Sequence, residues 1–367
     1  MEVQNEKRTK KMMSRRRKLK LKIALIAAEV VIVAVLIVAL FFVAKLQLIE
    51  RDDDFVAEPP KVNELEEDVE ETLKGYTTIA LMGLDNRTVG NYSYGNTDCI
   101  IIVSINNETK EVRMVSVYRD TYLQVTEEGK YSKINSAYNR GDGAKGLVEA
   151  LNRNLDLAIE DYVAVDWYAV AKTINLLGGV EIELTSGEAK MVNDMMNENI
   201  VSTGIQSDRV AREGLNELDG IQALAYARIR KIGNDYARTE RQRLVISKML
   251  EKAKDSSVGT LLKIVDEVFP DISTSLTNAE IIELASSVFS YNLTETKGFP
   301  EKRNKEDIKI DGVSTYIIPV SLMTNVEDLH LFLYGNEDYI PSVQLQEISN
   351  HIIYKSGLVP DFEEDEE

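Results

Sequence analysis

The chain has 367 residues, of which 44% are hydrophobic and 28% charged, and a formal net charge of −18. It can therefore bury a full core, and its single cysteine, Cys99, excludes an intramolecular disulfide and a thiolate metal cluster. The two histidines, His330 and His351, argue against a histidine-based zinc site. Basic and acidic residues balance through Gly75, so the negative charge belongs to the rest of the chain and argues against nucleic-acid binding.

The N-terminal region has the charge and hydropathy pattern of a membrane anchor. Residues 1–22 are basic, residues 23–44 are apolar apart from Glu29, and the segment beyond is mostly acidic. The apolar run is long enough to cross the core of a bilayer and exceeds the apolar region of a cleaved signal peptide. We predict a cytoplasmic tail at 1–22, one transmembrane helix at 23–44 and a C-terminal domain outside the cell. A domain outside the cell without disulfides indicates a bacterial cell membrane.

The next segment has the composition of a spacer. Residues 45–75 combine Pro59 and Pro60 with a dense acidic run and have no sustained apolar face. This composition predicts an acidic stalk or linker, with a short helix at Asn63–Leu73. The chain closes with an acidic tail at 361–367.

From Tyr76 onward, segments with strand and helix patterns alternate. Short apolar or β-branched runs predict strands at Thr77–Met82, Cys99–Ile105, Val112–Val117, Tyr162–Val165, Val180–Leu184 and Thr315–Val320. Helical patterns follow at Ala144–Leu157, Tyr168–Leu177, Gly259–Val268, Asn278–Ser290 and Val343–Tyr354. The alternation predicts an α/β fold, a three-layer α-β-α sandwich with a mixed central sheet. We place the main domain at 76–255 and a C-terminal helical continuation or appendage at 256–360.

Positive charge is concentrated in one stretch of this acidic chain. Within sixteen residues it contains Arg228, Arg230, Arg238, Arg241 and Arg243. If Tyr226–Lys231 is extended, its side chains alternate, and Arg228 and Arg230 point to the same side. The planar guanidinium group binds phosphate oxygens through two parallel hydrogen bonds and keeps its charge. Two such groups side by side predict a site for phosphate or pyrophosphate.

The residues that follow favour a helix from about Tyr236, in which Arg238, Arg241 and Gln242 share one face. Together with the extended arm, this face would complete a clamp around one anionic ligand. The alternative is a solvated helix whose arginines pair with Glu240 and neighbouring acids. The extended arm and the helix face taken together favour the clamp.

Three loops at predicted strand ends carry charged residues toward one edge of the sheet, where ligands collect in α/β folds. These loops are Gly83–Arg87, Asn96–Asp98 and Arg119–Thr121. Asp85 and Asp98 are suitable carboxylate ligands for one Mg²⁺, and Arg119 would join the phosphate clamp. Lys133 and Asn135 can reach the same edge. Taken alone, each aspartate also fits a turn or a helix cap.

Other catalytic schemes lack their sequence signatures. The chain contains neither the G-x-S-x-G nucleophile elbow nor the G-x-x-x-x-G-K-[ST] phosphate loop. Cys99 lies within an apolar predicted strand, so we expect a core residue rather than a nucleophile.

Several motifs, in this order and spacing, resemble the LytR-CpsA-Psr family of bacterial cell-envelope proteins. They are GLDNR at Gly83–Arg87, TDCIIIVSIN at Thr97–Asn106, SVYRDTY at Ser116–Tyr122, KINSAY at Lys133–Tyr138, DYVAVDW at Asp161–Trp167, LGGVEIEL at Leu177–Leu184, LDGIQALAYARIR at Leu218–Arg230 and DYARTERQR at Asp235–Arg243. The resemblance implies transfer of an anionic glycopolymer, such as teichoic acid or capsular polysaccharide, from an undecaprenyl-pyrophosphate carrier to peptidoglycan at the cytoplasmic membrane. It also implies a hydrophobic tunnel for the polyprenyl chain between the sheet and its helices.

The same resemblance implies roles for individual residues. Those that match pyrophosphate-binding positions of the family are Arg119, Arg228, Arg230, Arg238 and Gln242, and Lys133 is a further candidate. Asp85 and Asp98 match its Mg²⁺-associated aspartates. Asn96 stands where many members carry arginine, so this chain lacks one cationic contact there.

The implied reaction is phosphoryl transfer to a sugar hydroxyl of peptidoglycan, which makes the chain a Mg²⁺-dependent phosphotransferase. Arg119, Arg228, Arg230 and the metal would offset the negative charge of the pyrophosphate. Asp98 or Asp120 would accept the proton of the hydroxyl. Two alternatives stay open: a non-catalytic protein that binds polyprenyl pyrophosphate or scaffolds wall assembly, and a pyrophosphatase that acts on the same lipid.

Overall fold

A computed structural model of the chain describes residues 50–51, 55, 57–85, 90–92, 95–233 and 235–358. The predicted cytoplasmic tail at 1–22, transmembrane helix at 23–44 and acidic tail at 361–367 lie outside the described residues. Within the described part of the chain, no helix combines the length and the apolar character needed to cross a membrane.

A seven-stranded mixed sheet lies at the centre of the described fold. The strands of the chain are β1 (Glu50–Arg51), β2 (Tyr76–Leu84), β3 (Thr97–Asn106), β4 (Glu111–Val117), β5 (Tyr122–Gln124), β6 (Tyr131–Lys133), β7 (Asp161–Asp166), β8 (Val180–Leu184), β9 (Gly214–Leu218), β10 (Ile272–Thr274) and β11 (Asn292–Phe299). The order in the central sheet is β1-β10-β7-β2-β3-β4-β11, whereas β5 pairs with β6 and β8 with β9 in separate two-stranded sheets. The pairs β1/β10, β7/β2 and β4/β11 are parallel and the other pairs antiparallel, so the predicted mixed sheet is confirmed.

Helices cover both faces of this sheet. They are α1 (Glu67–Lys74), α2 (Ala137–Arg140), α3 (Gly143–Leu155), α4 (Trp167–Leu176), α5 (Ser186–Thr203), α6 (Gly220–Ala227), α7 (Asp235–Asp255), α8 (Val258–Val268), α9 (Asn278–Ser286), α10 (Leu322–Tyr334) and α11 (Val343–Ser356). Alternation along β2 sends Ala80 and Met82 into a core shared with α3, α10 and α11. Leu81 points to the opposite face, which α4, α6, α7 and α8 cover.

The segment expected to be a stalk packs on the domain over its described part. Phe55 is 2% exposed, and its ring centroid lies 5.0 Å from that of Tyr162. Helix α1, close to the predicted helix at 63–73, buries Val69 and Leu73. This part of the segment therefore packs on the domain, because its few apolar residues find partners in the core.

The residues beyond 255 supply two strands of the central sheet, so the expected boundary at 255 does not coincide with an edge of the sheet. Strand β10 pairs with β7, and β11 pairs with β4. The strand predicted at Thr315–Val320 is wrong. That segment makes only isolated bridges, such as the one between Ile317 and Thr121.

Candidate functional site

The charged residues of the candidate site lie at one edge of the central sheet. Leu84, at the end of β2, pairs with Thr97 at the start of β3 and with Asp166 at the end of β7. Strand β4 runs antiparallel to β3 and ends at the same edge. Asp85 after β2, Asn96 before β3 and Arg119 after β4 therefore lie at this edge, as expected for a ligand site in an open sheet.

Asp98 is the centre of the contacts at this edge. It is 8% exposed, and its Oδ1 accepts a hydrogen bond from Arg119 at 2.6 Å. Its Oδ2 accepts one from Arg230 at 2.9 Å. Because a single carboxylate holds both guanidinium groups, Arg119 and Arg230 are brought side by side although they lie far apart in the sequence.

A second carboxylate extends this arrangement. Oδ1 of Asp120 forms an ion pair with Nζ of Lys133 at 2.9 Å, and its Oδ2 lies 3.7 Å from Nε of Arg119. Lys133 ends strand β6, whose pairing with β5 positions its amine. Lys133, Asp120, Arg119, Asp98 and Arg230 thus form one chain of alternating charges, which we call the charged cluster. An incoming anion would find three cations already held in place.

Arg228 lies beside a separate set of contacts. Its guanidinium donates to Asn199 Oδ1 and, at 2.9 Å, to Glu198 Oε1. The guanidinium carbon also lies 5.8 Å from the ring centroid of Trp167. The indole Nε1 of Trp167 donates to Asp85 Oδ1 at 3.1 Å. Trp167 therefore connects the predicted metal ligand Asp85 to the predicted phosphate ligand Arg228.

The extended arm predicted at Tyr226–Lys231 is wrong in its first part. Helix α6 continues to Ala227, and Arg228 has helical backbone angles as its C-terminal cap. The helix is favoured by a capping box between Asp219 and Gln222 at its start. As a consequence Arg228 turns toward α5 and Arg230 toward Asp98, so the two side chains are not presented by strand alternation.

The three residues predicted to share one face of α7, Arg238, Arg241 and Gln242, lie in two different environments. Arg238 and Gln242 are 1% and 5% exposed, which rules out a solvated helix for these two residues. Arg241 points elsewhere, because it donates to Glu188 Oε1 at 3.0 Å and to the carbonyl oxygens of Ile229 and Ile232 at 3.2 and 2.9 Å. Arg241 therefore holds the loop that carries Arg230, instead of facing a ligand.

An apolar cavity of about 400 Å³ adjoins these charges. Its lining includes Gly83, Cys99, Trp167, Ala227 and Gln242, each next to or close to a residue of the site. Along α7 the lining continues from Gln242 to Ala253, about 16 Å at the helical rise per residue. The cavity thus runs from the charged edge into the space between the sheet and its helices.

Cys99 packs against one of the apolar core clusters, as predicted for a core residue. It is partly exposed and lines the apolar cavity. Burial raises the pKa of its thiol to about 12, so the thiol is protonated at neutral pH and is not a nucleophile.

The two carboxylates Asp85 and Asp98 are a minimal set of protein ligands for Mg²⁺. In the part of the chain that the structure describes, no group of three or more His, Cys, Asp or Glu could hold a metal. Asp85 and Asp98 do meet at one edge, since the Asp85 N–H donates to the carbonyl of Asn96 at 3.3 Å. A carboxylate oxygen can accept more than one contact, so the hydrogen bonds to Asp85 and Asp98 do not exclude coordination of a metal. Two carboxylates with water and phosphate oxygens suffice for Mg²⁺.

Three contributors to the site were missed by the sequence-based prediction of individual residues. Trp167 was noted only as part of a motif, and Glu198 and Asn199 were not considered. Asn199 is fully buried on α5, and a buried asparagine needs a hydrogen-bond partner, but its burial could not be seen in the sequence. Asn96, which the sequence comparison placed where many family members carry arginine, is exposed and accepts a hydrogen bond from Asn139 at 2.8 Å.

Comparisons with known proteins agree with this fold. The polyisoprenyl-teichoic acid–peptidoglycan teichoic acid transferase TagU of Enterococcus faecalis is 28% identical over 253 residues, covering 68% of this chain and 77% of TagU. The transferase TagV of Bacillus subtilis is 27% identical over 276 residues, covering 72% of this chain and 65% of TagV. The chain thus spans slightly less than two thirds of TagV.

Solved structures share the architecture. The structure of TagT bound to LIIa-WTA superposes with a TM-score of 0.53 at 22% identity, covering 82% of this chain and 97% of that one. The crystal structure of Bacillus subtilis TagV gives a TM-score of 0.56 at 24% identity, covering 73% of this chain and 99% of that one. The model of the LytR_cpsA_psr family matches residues 48–329. Because this match covers most of the chain, the chain belongs to the LytR_cpsA_psr family.

Proposed function

We propose that this chain is a membrane-anchored phosphotransferase that acts outside the bacterial cell. It transfers an anionic glycopolymer of the teichoic acid or capsular polysaccharide type from undecaprenyl pyrophosphate to peptidoglycan and forms a phosphodiester. The names of the relatives TagU and TagV support a teichoic acid transferase. The bound LIIa-WTA of TagT supports a glycopolymer as the ligand.

One observation carries the proposal: an apolar cavity of about 400 Å³ opens beside a group of arginines. A polyprenyl pyrophosphate has the matching chemistry, since its hydrocarbon chain avoids water and its pyrophosphate is anionic. Burial of the lipid's hydrocarbon chain in the cavity would stabilise the complex by about 0.8 kcal/mol per CH₂ group. The arginines would hold the pyrophosphate at the cavity entrance through charge-assisted hydrogen bonds.

In the proposed reaction a sugar hydroxyl of peptidoglycan attacks the phosphorus on the polymer side of the pyrophosphate. The new P–O bond forms as the bond to the bridging oxygen breaks, and polyprenyl phosphate leaves with that oxygen. Arg119, Arg228 and Arg230 stabilise the charge on the phosphate oxygens. Asp120 is the proposed proton acceptor, because its Oδ2 lies at the longer distance of 3.7 Å from Arg119, whereas both oxygens of Asp98 accept hydrogen bonds from guanidinium groups and Asp98 is a proposed metal ligand.

Asp85 and Asp98 are the residues proposed to hold Mg²⁺. The ion would offset the negative charge of the pyrophosphate when bound. Trp167 would keep Asp85 in place through its indole N–H. Arg238 and Gln242, on the buried side of α7, would contact phosphate oxygens nearest the cavity.

The proposal is tested with the full chain in detergent, a synthetic polyprenyl-pyrophosphate saccharide, Mg²⁺ and peptidoglycan fragments, with products identified by mass spectrometry. We expect a sugar-phosphate adduct on the acceptor that EDTA abolishes. Arg228→Ala should lower the rate by about 10²–10³, as loss of a transition-state donor does. Arg212→Ala, at an exposed position away from the site, is the matched control and should keep the full rate.

Other products would contradict the proposal in distinct ways. Free sugar phosphate, with no adduct on any acceptor tested, would indicate a pyrophosphatase. Tight binding of the lipid without turnover would indicate a binding or scaffolding protein. An Arg228→Ala chain with the full transferase rate would remove this site from the reaction.

A further inference from the structure

Outside the charged cluster, Arg303 lies against a pair of tyrosine rings, and the buried Arg243 interacts electrostatically with one of them. The rings of Tyr118 and Tyr236 pack edge to face, with centroids 4.7 Å apart. The Arg303 guanidinium carbon is 3.6 Å from the centroid of Tyr236 and 5.3 Å from that of Tyr118. Arg243 of α7 is only 6% exposed and acts electrostatically on the same Tyr118. We call these four residues the tyrosine–arginine group.

The tyrosine–arginine group borders the proposed pyrophosphate site. Tyr118 immediately precedes Arg119 of the charged cluster, and Tyr236 lies half a turn before Arg238 on α7. Tyr118 is fixed by the backbone, since its N–H donates to the carbonyl of Phe299 at 2.9 Å. Its hydroxyl lies against Gly298, where any side chain would collide with it. The group is therefore a rigid neighbour of the site on the side of β4 and β11.

Arg243 has an unusual environment for a buried cation. Its Nε and Nη1 are buried and have no hydrogen-bond partner, and it forms no ion pair of 4.0 Å or less within the described part of the chain. Glu240, on the exposed side of α7, acts on it only from a distance. Burial lowers the pKa of Arg243. An uncompensated buried charge is costly, so a ligand with negative charge would relieve it.

Arg303 is also left available to a ligand. Its Nη1 donates to the carbonyl oxygens of Pro300 and Glu301, at 3.1 and 3.0 Å. It has no carboxylate partner among the described side chains, although the whole chain carries an excess of acidic residues. The stacked ring of Tyr236 orients the guanidinium plane. A fixed guanidinium group with free edges suits the oxygens of a phosphate.

We infer that Arg243 and Arg303 form a second phosphate-binding subsite, which takes a phosphodiester of the anionic glycopolymer next to the carrier pyrophosphate. The inference rests on the proposed function, because it assigns a further part of the same substrate. It makes the chain selective for donors whose polymer carries phosphate close to the lipid. A neutral saccharide on the same carrier would occupy only the pyrophosphate site.

The test compares two synthetic donors by isothermal titration with the full chain in detergent. One is farnesyl pyrophosphate linked to a neutral disaccharide, and the other carries one glycerol phosphate on that disaccharide. We expect the second donor to bind more tightly, and Arg303→Gln and Arg243→Gln each to weaken its binding by about tenfold. Neither variant should change the affinity for the neutral donor. Arg228→Gln should weaken both donors, and Arg212→Gln neither.

The possible results separate the inference from the proposed function. Equal affinity of the native chain for both donors, or equal losses on both donors in the variants, would overturn the subsite and leave the proposed function intact. Failure of the native chain to bind farnesyl pyrophosphate at all would overturn both. Saturation of the subsite by micromolar inorganic phosphate would overturn its assignment to the polymer.

A second measurement tests whether Arg243 has only a structural role. If the buried charge of Arg243 is compensated only by a bound ligand, Arg243→Met should raise the melting temperature of the ligand-free chain. The substitution removes an uncompensated cation and keeps most of the side-chain volume. A structural arginine would give a lower melting temperature on the same substitution. Lowered stability together with unchanged binding of the phosphate-bearing donor would refute the subsite.

Discussion

The indole Nε1 of Trp167 donates a hydrogen bond of 3.1 Å to the carboxylate of Asp85. The same ring lies 5.8 Å from the Arg228 guanidinium carbon and lines the apolar cavity. Its position follows from its place in the sequence: Asp166 accepts a hydrogen bond from the N–H of Ala169 and caps α4, which makes Trp167 the first helical residue. One side chain therefore touches the polar, the cationic and the apolar parts of the candidate site.

Binding of a polyprenyl pyrophosphate should change the fluorescence of the chain, because Trp167 is its single tryptophan. Farnesyl pyrophosphate bound in the cavity would make the surroundings of Trp167 less polar, so we expect a blue shift and a saturable change in intensity. Inorganic pyrophosphate, which lacks the hydrocarbon chain, should give a smaller change. Titration of the full chain in a detergent without aromatic groups provides the measurement. An unchanged spectrum at saturating farnesyl pyrophosphate would contradict the placement of the lipid.

Trp167→Phe should separate lipid binding from turnover. Phenylalanine keeps an aromatic wall but removes the N–H that holds Asp85, which we propose as a metal ligand. Loss of such a supporting hydrogen bond beside a metal ligand costs about 10–100-fold in activity. We expect kcat to fall in that range and the Kd for farnesyl pyrophosphate to change less than threefold, a rough bound for loss of polarity alone. Tyr168→Phe, at the next residue, is the matched control. A Trp167→Phe chain with native kcat and native Mg²⁺ dependence would refute this role.

Asp98→Asn should weaken both catalysis and binding. The neutral amide cannot hold Arg119 and Arg230 as the carboxylate does, so we expect kcat to fall by about 100-fold. The Kd for farnesyl pyrophosphate should rise, because the two arginines proposed to hold the pyrophosphate are no longer fixed side by side. Asp311→Asn serves as control, since Asp311 forms an ion pair with Lys355 at the surface. Native affinity together with native kcat would contradict the role of Asp98 as an organiser of the two arginines.

The inner strands could be predicted from the sequence because their apolar runs are buried on both faces. Strands β2, β3 and β4 were predicted within two residues of their observed ends. Strand β11, with the sequence NLTETKGF, was missed because it lies at the edge of the sheet and most of its side chains are exposed. Polar residues suffice at such a position, so the sequence carries little strand signal.

Some contacts of the candidate site could be predicted from the sequence, and others could not. Spacing along the chain indicated that Asp98 and Arg119 lie near one edge, and the structure joins them by an ion pair of 2.6 Å. The contact of Arg228 with Glu198 depends on how α5 packs against α6, which local patterns do not specify. The cavity could not be located either, because Val, Leu and Ile line a cavity and fill a core equally well.

Removal of the segment before Gly75 should destabilise the domain strongly. A chain that starts at residue 75 loses the buried side chains of Phe55, Val69 and Leu73, each worth about 1.5–3 kcal/mol of burial. Their sum is comparable to the whole stability of a typical domain. We expect residues 49–367 to show a cooperative thermal transition and residues 75–367 to aggregate or melt far lower. Equal melting temperatures would show that the segment before Gly75 adds nothing to the core.

Glu188→Ala should lower the free energy of unfolding in a pH-dependent way, because Glu188 is the acidic partner of the structural Arg241. Burial alone would raise the pKa of Glu188, but hydrogen bonds from Thr185 and Arg241 outweigh it and hold the pKa below its ordinary value. Removal of the carboxylate leaves the buried Arg241 without its acidic partner, which costs about 3–5 kcal/mol.

The sign of the pH effect follows from the depressed pKa of Glu188. Its ion pair is fully formed above the unfolded-state pKa of 4.5, and its contribution is lost as the pH falls through the lower pKa of the folded state. Urea unfolding of residues 49–367 should therefore give a large difference between native and Glu188→Ala chains at pH 7 and a smaller one below pH 4.5. Glu183→Ala, on the exposed side of β8, is the control. A difference that stays constant across this pH range would mean that Arg241 is held by the carbonyl oxygens of Ile229 and Ile232 and not by the charge of Glu188.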